Sequence, residues 1–134
     1  MIPMTPELIA LALAGLMHIA QFSVASYLAN VDLGQRFTLG PRDSAPKREM
    51  RPVTGRMLRA YDNHVQMFGL FAAGCLIIAL TGQSSALTSG AAITYLVARA
   101  LYIPAYAFGW TPWRSYIWLV AMICCALLFF AALI

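Results

Sequence analysis

The sequence predicts an all-α integral membrane protein, built as one bundle of four transmembrane helices. Of the 134 residues, 61% are hydrophobic and 10% are charged, and the mean hydropathy is +0.73. A soluble domain is far less apolar than this. Four apolar stretches, separated by polar or charged segments, are each long enough to cross a hydrocarbon core of about 30 Å as a helix. The length suits a single domain, residues 1–134.

The apolar stretches place the four helices at residues 6–30, 53–81, 86–108 and 112–134. The segment between the first two helices, residues 31–54, carries glycines and prolines among charges, which predicts an irregular loop. No basic segment precedes the first apolar stretch, and that stretch is too long for the core of a signal peptide. We therefore interpret it as a retained transmembrane helix.

The charged residues are concentrated in and beside this loop. Between Asp32 and Asp62 lie seven of the nine basic residues and four of the five acidic ones. Basic residues in short loops mark the cytoplasmic side of a membrane protein, so the loop is predicted to be cytoplasmic and both chain termini to lie outside. The net charge of +4 therefore belongs to the flanks of membrane segments. With so little soluble surface, it does not indicate nucleic-acid binding.

The second predicted helix begins with a polar face. Arg59, Asn63 and Gln66 are spaced at i, i+4 and i+7, which puts them on one side of a helix. A guanidinium or amide group in hydrocarbon costs several kcal/mol unless it faces protein, water or a polar ligand. The stripe therefore predicts either a polar contact between helices or a binding site.

The third predicted helix carries a second polar face, formed by Tyr95, Arg99, Tyr102 and Tyr106. Arg99 falls near the middle of the membrane, where an unpaired cation is least tolerated, so it needs a partner. The sequence leaves four kinds of partner open: Asp62 on the second helix, the tyrosine hydroxyls, backbone carbonyls, or an anionic ligand.

Arg114 stands in the first turn of the fourth predicted helix, where a cation opposes the helix dipole. Together with the polar faces of the second and third helices, it predicts a cationic cluster in the cytoplasmic half of the membrane. Two interpretations follow. The cluster either binds a small polar anion or holds the helices together as a polar network.

Histidine and cysteine are sparse and do not form a metal-binding pattern. Cys75, Cys124 and Cys125 all lie in apolar stretches, with no CxxC motif, so buried thiols are predicted rather than a disulfide framework or a zinc site. His18 and Gln21 share one face of the first helix with small residues. We interpret His18 as a helix-contact residue in preference to a catalytic base.

Two segments carry a resemblance to a known family. GRMLRAYDNH at residues 55–64 and ARALYIPAYAFGWTPWRS at residues 98–115, in a chain of four predicted helices with a basic first loop, resemble the MAPEG family, the membrane-associated proteins in eicosanoid and glutathione metabolism. The resemblance is strongest to bacterial members. It implies a homotrimer in the bacterial inner membrane, with periplasmic termini and a glutathione site between subunits that opens to the cytoplasm.

The resemblance also implies roles for particular residues. Arg59 and Asn63 would hold the polar backbone of glutathione, and Tyr102 and Tyr106 would line the site. Arg114 would stand beside the sulfur as the catalytic residue, because a guanidinium favours the nucleophilic thiolate over the thiol. The implied activity is the transfer of glutathione to lipophilic electrophiles that enter from the bilayer, or the reduction of lipid hydroperoxides.

Two further positions complete the expected site. Arg99 matches the family pattern and is expected to shape the floor of the site or to pair within the bundle. Gln66 departs from the pattern, which usually has Glu there, and so supplies a hydrogen-bond acceptor without a charge. The alternative function is therefore a non-catalytic or differently liganded membrane protein of the same fold.

Overall fold

A computed structural model describes all residues, 1–134, as an all-α chain. The helices are α1 Pro6–Leu33, α2 Gln35–Thr38, α3 Pro52–Leu80, α4 Ala86–Ala107 and α5 Trp113–Leu133. The four long helices correspond to the four predicted ones. α1 runs three residues beyond its predicted end, and the other boundaries lie within one residue of prediction. The segment predicted to be irregular throughout contains the single turn of α2.

The four long helices are each long and apolar enough to cross a membrane. Their outer faces carry large hydrophobic side chains that are exposed on the chain, among them Leu16, Leu80 and Phe130. Such a surface suits hydrocarbon and not water. The protein is therefore a multi-pass integral membrane protein.

Polar contacts fix how the helices meet at one end of the bundle. The Asp32 carboxylate at the end of α1 accepts hydrogen bonds from the Arg51 backbone N–H at 3.0 Å, from Arg51 Nε at 2.9 Å and from the Thr54 hydroxyl at 2.6 Å. Arg56 Nε donates to the carbonyl oxygen of Ala107 at 2.8 Å, joining α3 to α4. This end, where α1 and α4 finish and α3 and α5 begin, is called the loop end below.

Small and aromatic side chains fill the core. Alanines from all four long helices are buried, and the Phe71 and Tyr95 rings stack with centroids 3.8 Å apart. At Gly74, an added Cβ would lie 3.0 Å from Cβ of Leu128, so α3 and α5 approach closely there. Small residues permit such close approach between membrane helices.

The predictions for the cysteines and for His18 agree with the structure. Cys75, Cys124 and Cys125 are all buried with free thiols. His18 Nε2 lies 3.3 Å from the Tyr61 hydroxyl, so this residue contributes to the contact between α1 and α3. The histidine ring also packs against the ring of His64, with centroids 5.2 Å apart.

Glu7 makes the main polar contact at the opposite end of the bundle. Its side chain is fully buried, and its carboxylate accepts hydrogen bonds from the Ser84 hydroxyl at 2.9 Å, from the Ser89 hydroxyl at 3.1 Å and from the Thr88 hydroxyl. An ionised carboxylate only accepts hydrogen bonds, which suits three hydroxyl donors. The contact joins the start of α1 to the start of α4.

We expect Glu7→Gln to lower the free energy of unfolding by about 1–2 kcal/mol, because charge-assisted hydrogen bonds become neutral ones and the amide nitrogen, unlike a carboxylate oxygen, cannot accept from the hydroxyl groups. Thermal or denaturant unfolding in detergent would measure the change. Glu49→Gln is the matched control, since Glu49 is exposed in the loop. Equal stability of the two variants would contradict this account of Glu7.

Candidate functional site

The polar faces predicted on the second, third and fourth helices meet at the loop end. They occupy the first half of α3, the part of α4 from Arg99 to Tyr106 and the first turn of α5, whereas Tyr95 packs in the core. The short turn between α4 and α5 brings Arg114 back towards α4. Gly109 adopts a φ of +67° in this turn, which glycine accommodates without strain, and the Arg114 backbone N–H donates to the carbonyl oxygen of Trp110 at 3.0 Å.

Tyr106 stands between two arginines. Arg59 Nε donates a hydrogen bond to the Tyr106 hydroxyl at 3.0 Å, and Arg59 Cζ is 5.7 Å from the centroid of the ring. Arg114 Cζ is 4.6 Å from the same centroid. A phenol ring offers a cation roughly 0.5–2 kcal/mol of attraction but no full negative charge. The pair of guanidinium groups thus keeps its positive charge.

Arg99 is buried within the bundle, with 1% of its surface exposed. Its Nη1 donates to the side-chain oxygen of Asn63 at 2.9 Å, and its Cζ lies 4.4 Å from the centroid of the Tyr102 ring. Among the partners that the sequence left open, Asp62 is not the one, because its side chain is exposed and it forms no ion pair. The amide of Asn63 and the face of a phenol solvate the cation instead.

No carboxylate neutralises these arginines. The single salt bridge of the chain joins Arg51 to Asp32, so Arg59, Arg99 and Arg114 all lack an acidic partner within 4.0 Å. Cations inside a membrane protein normally pair or face a polar ligand, since the low dielectric makes an uncompensated charge costly. The arrangement is therefore suited to binding an anion.

A small cavity opens beside this cluster. Its volume is about 140 Å³, and it is lined by Asn63, Tyr102, Arg114, Ser115 and Trp118. Sites for ligands of drug-like size usually measure roughly 300–1,000 Å³, so one chain provides only part of such a site. The sequence analysis singled out neither Ser115 nor Trp118 as a site residue. The i, i+4 spacing of Arg114 and Trp118 was the signal that they share a face.

Gln66 does not join the other predicted site residues. It is exposed on the chain, together with Arg59 and Asp62, and the three form what we call the outer polar stripe of α3. Polar side chains on the outside of a membrane helix are unfavourable against lipid. The structure thus brings together Arg59, Asn63, Arg99, Tyr102, Tyr106 and Arg114, and leaves Gln66 on the exterior.

The fold and the site define a multi-pass membrane protein with an uncompensated cluster of arginines beside a small cavity at its loop end. The chain belongs to the MAPEG family, whose sequence model matches residues 8–134. The resemblance carried by the segments of α3 and α4 is thereby confirmed, and the family is associated with glutathione. A search among curated proteins and a search among solved structures each gave no match.

Proposed function

We propose that this protein is a glutathione-dependent membrane enzyme, which transfers glutathione to lipophilic electrophiles, reduces lipid hydroperoxides, or does both. The observation that carries the proposal is a cluster of three arginines without a carboxylate: Arg114 lines the cavity, Arg99 contacts its wall residues Asn63 and Tyr102, and Arg59 contacts Tyr106. Glutathione has two carboxylates and one ammonium group at neutral pH, so it is a small anion with peptide-like polar groups. It complements a site rich in guanidinium, phenol and amide groups.

In this proposal the two ends of the site have different tasks. Arg59 and Asn63 hold the carboxylate and peptide groups of glutathione, while Tyr102 and Tyr106 form its walls. Arg114, on the rim of the cavity beside Ser115, is next to the sulfur. Arg99 does not line the cavity, but its hydrogen bond to the cavity residue Asn63 orients the amide. The ligand carboxylates supply the negative charge that the chain does not.

Arg114 is proposed as the catalytic residue because it favours the reactive form of the thiol. A free thiol has a pKa of about 8.5 and is mostly protonated at neutral pH, whereas a nearby guanidinium stabilises the thiolate. The thiolate sulfur then attacks the electrophilic carbon, a C–S bond forms, and the leaving group departs with its electron pair. With a hydroperoxide, two glutathione molecules are oxidised to the disulfide while the hydroperoxide becomes an alcohol and water.

A homotrimer with sites between subunits is part of the proposal. Two observations support it: the cavity of one chain is too small for the ligand, and the outer polar stripe of Arg59, Asp62 and Gln66 is exposed. A second copy packed against the stripe would cover these side chains and complete the walls of the cavity. The lipophilic substrate would reach the seam from the bilayer.

The direct test is an activity assay of the purified protein in detergent. Glutathione is supplied with a chloronitrobenzene in one arm and with an organic hydroperoxide in the other. We expect product to form faster than in the protein-free control in at least one arm. S-Methylglutathione, which fits the site but has no thiol, should inhibit without reacting. Rates equal to the protein-free control in both arms would overturn the enzymatic proposal.

A second candidate function is non-catalytic binding of glutathione or another anion, and Gln66 favours it because this side chain supplies no charge. We expect Gln66→Glu to tighten glutathione binding about ten-fold, since a charge-assisted hydrogen bond to the ligand ammonium group replaces a neutral one, a gain of roughly 1–2 kcal/mol. Calorimetric titration would measure the affinity.

Gln83→Glu is the matched control for this variant, because Gln83 lies in the turn at the opposite end of the bundle. Its affinity for glutathione should equal that of the unmodified protein. If Gln66→Glu binds glutathione no better than Gln83→Glu, then Gln66 does not face the ligand ammonium group.

A further inference from the structure

The loop between α1 and α3 forms a second cavity, which is partly open to the surface and separate from the arginine site. Its volume is about 770 Å³, and its walls come from the segment between Leu33 and Arg48. It shares no residue with the cavity beside Arg114. Four of the lining side chains are basic and one, Asp43, is acidic. The basic ones are Arg36, Arg42, Lys47 and Arg48.

The charge of this cavity is not neutralised by the chain. None of its four basic residues takes part in a salt bridge, since Arg51 and Asp32 form the only pair. Arg42 is held in place through the backbone, with Nε and Nη2 donating to the carbonyl oxygen of Thr38 at 3.1 and 2.7 Å. A carbonyl oxygen orients the guanidinium without cancelling its charge, so the cavity remains strongly cationic.

The backbone of the loop is folded specifically around this space. Gly34 has a φ of +85°, in the region that favours glycine. At Gly40, an added Cβ would lie 2.7 Å from the carbonyl oxygen of Arg36, closer than real Cβ atoms approach a backbone oxygen. The Thr38 hydroxyl also donates to the carbonyl oxygen of Gly34 at 3.3 Å. The cavity is thus defined by close backbone contacts as well as by side chains.

The length of α1 sets the depth of the cavity relative to the membrane. α1 has 28 residues, which at 1.5 Å per residue gives a length of about 42 Å. A bilayer with its headgroup layers is about 40–45 Å thick, so Leu33 at the end of α1 reaches the headgroup layer. Leu33 and Phe37 supply apolar parts of the cavity wall, beside the basic side chains.

We propose that this cavity binds the phosphate headgroup of an anionic phospholipid. Arginine and lysine bind phosphate through charge-assisted hydrogen bonds, and basic pockets beside transmembrane helices suit acidic headgroups. The cationic walls, the apolar patch of Leu33 and Phe37 and the position at headgroup depth together fit a lipid phosphate. A free phosphate ion has no apolar part and no reason to be held at this depth.

Native mass spectrometry of the detergent-solubilised protein tests this proposal by titration with phosphatidylglycerol or phosphatidylcholine. We expect selective retention of phosphatidylglycerol. The double variant Lys47→Gln, Arg48→Gln should bind it about 30-fold more weakly, because each basic side chain near an acidic lipid contributes roughly five-fold. The control variant Lys47→Arg, Arg48→Lys keeps both charges and should retain the selectivity. Circular dichroism would verify that all variants remain helical.

A competition arm distinguishes the lipid from free phosphate. Inorganic phosphate at equal concentration should displace little phosphatidylglycerol. Any of three results would overturn the proposal. The protein could retain the two lipids equally, the double variant could bind phosphatidylglycerol as tightly as the unmodified protein, or inorganic phosphate could displace phosphatidylglycerol as effectively as the lipid itself does. None of these outcomes depends on glutathione chemistry, so the result is independent of the proposed enzymatic function.

Discussion

Arg114→Ala is expected to lower kcat/KM for the conjugation reaction by about 100- to 1,000-fold. Removing one preorganised charge that stabilises a reacting anion typically costs roughly 2.7–4 kcal/mol of transition-state stabilisation, and about 1.4 kcal/mol corresponds to a factor of ten. In the structure, Arg114 contacts the Tyr106 ring and lines the cavity, and it has no acidic partner. Its loss should therefore affect the ligand more than the fold.

The pH profile separates a catalytic role from a structural one. Without the guanidinium, the pKa of the bound thiol rises towards its value in free solution, so the increase of rate with pH should move to higher pH in Arg114→Ala. Arg36→Ala is the control, because it removes an exposed arginine of the loop that forms no salt bridge and does not line the cavity beside Arg114. A reduced rate in Arg114→Ala with an unshifted pH profile would contradict the proposed role.

Arg99→Met is expected to leave the fold intact while weakening glutathione binding about ten- to one hundred-fold. Arg99 is among the largest fully buried side chains, and methionine replaces much of its volume. Substituting an apolar side chain of similar volume for a buried ion is often neutral for stability, because the desolvation cost disappears with the charge. The ligand, however, loses the attraction of a nearby cation, a loss of roughly 1.5–3 kcal/mol.

Thermal unfolding and glutathione titration of the same samples would measure the two effects. Arg99→Ala serves as the comparison, because it also leaves a cavity and should lower stability by several kcal/mol. If Arg99→Met unfolds as readily as Arg99→Ala, then the cation holds the bundle together and does not serve the ligand. Full glutathione affinity in Arg99→Met would equally contradict a role in binding.

Helical spacing predicted much of the arrangement of the candidate site. The i, i+4 relation of Arg59 and Asn63 and the i, i+3, i+7 relation of Arg99, Tyr102 and Tyr106 give faces that do meet in the structure, as the contact from Arg59 to Tyr106 and the contact from Arg99 to Asn63 demonstrate. Polar residues in a hydrophobic chain must face one another or a ligand, so few arrangements of these faces were possible.

The exact partner of Arg99 could not be derived in this way. Asp62 and Asn63 are adjacent in sequence but point about 100° apart around the helix, so a modest rotation of α3 decides between them. Spacing within one helix does not determine that rotation, which depends on packing against α4 and α5. Spacing also placed Gln66 on the same face as Arg59, and both are exposed on the outer side of α3. Only Arg59 extends to α4, through its contact with Tyr106.

Contacts between distant parts of the chain were also beyond the sequence. Nothing near Glu7 indicates that its carboxylate meets Ser84 and Ser89, which follow it by more than seventy residues. The cavity of the loop depends on close backbone contacts at Gly40, and composition alone predicted only an irregular, basic segment. Local patterns specify helices and faces, whereas long-range polar contacts follow from the complete packing.

The measurement that tests the central claim most directly is the ultraviolet absorbance of the glutathione thiolate on titration of the purified protein. The uncompensated arginines predict an absorbance increase, at neutral pH, beyond that of the same amount of free glutathione. They also predict that Arg114→Ala abolishes this increase, while Arg36→Ala retains it. No thiolate signal from the unmodified protein at saturating glutathione, or an equal signal from Arg114→Ala, would contradict the account.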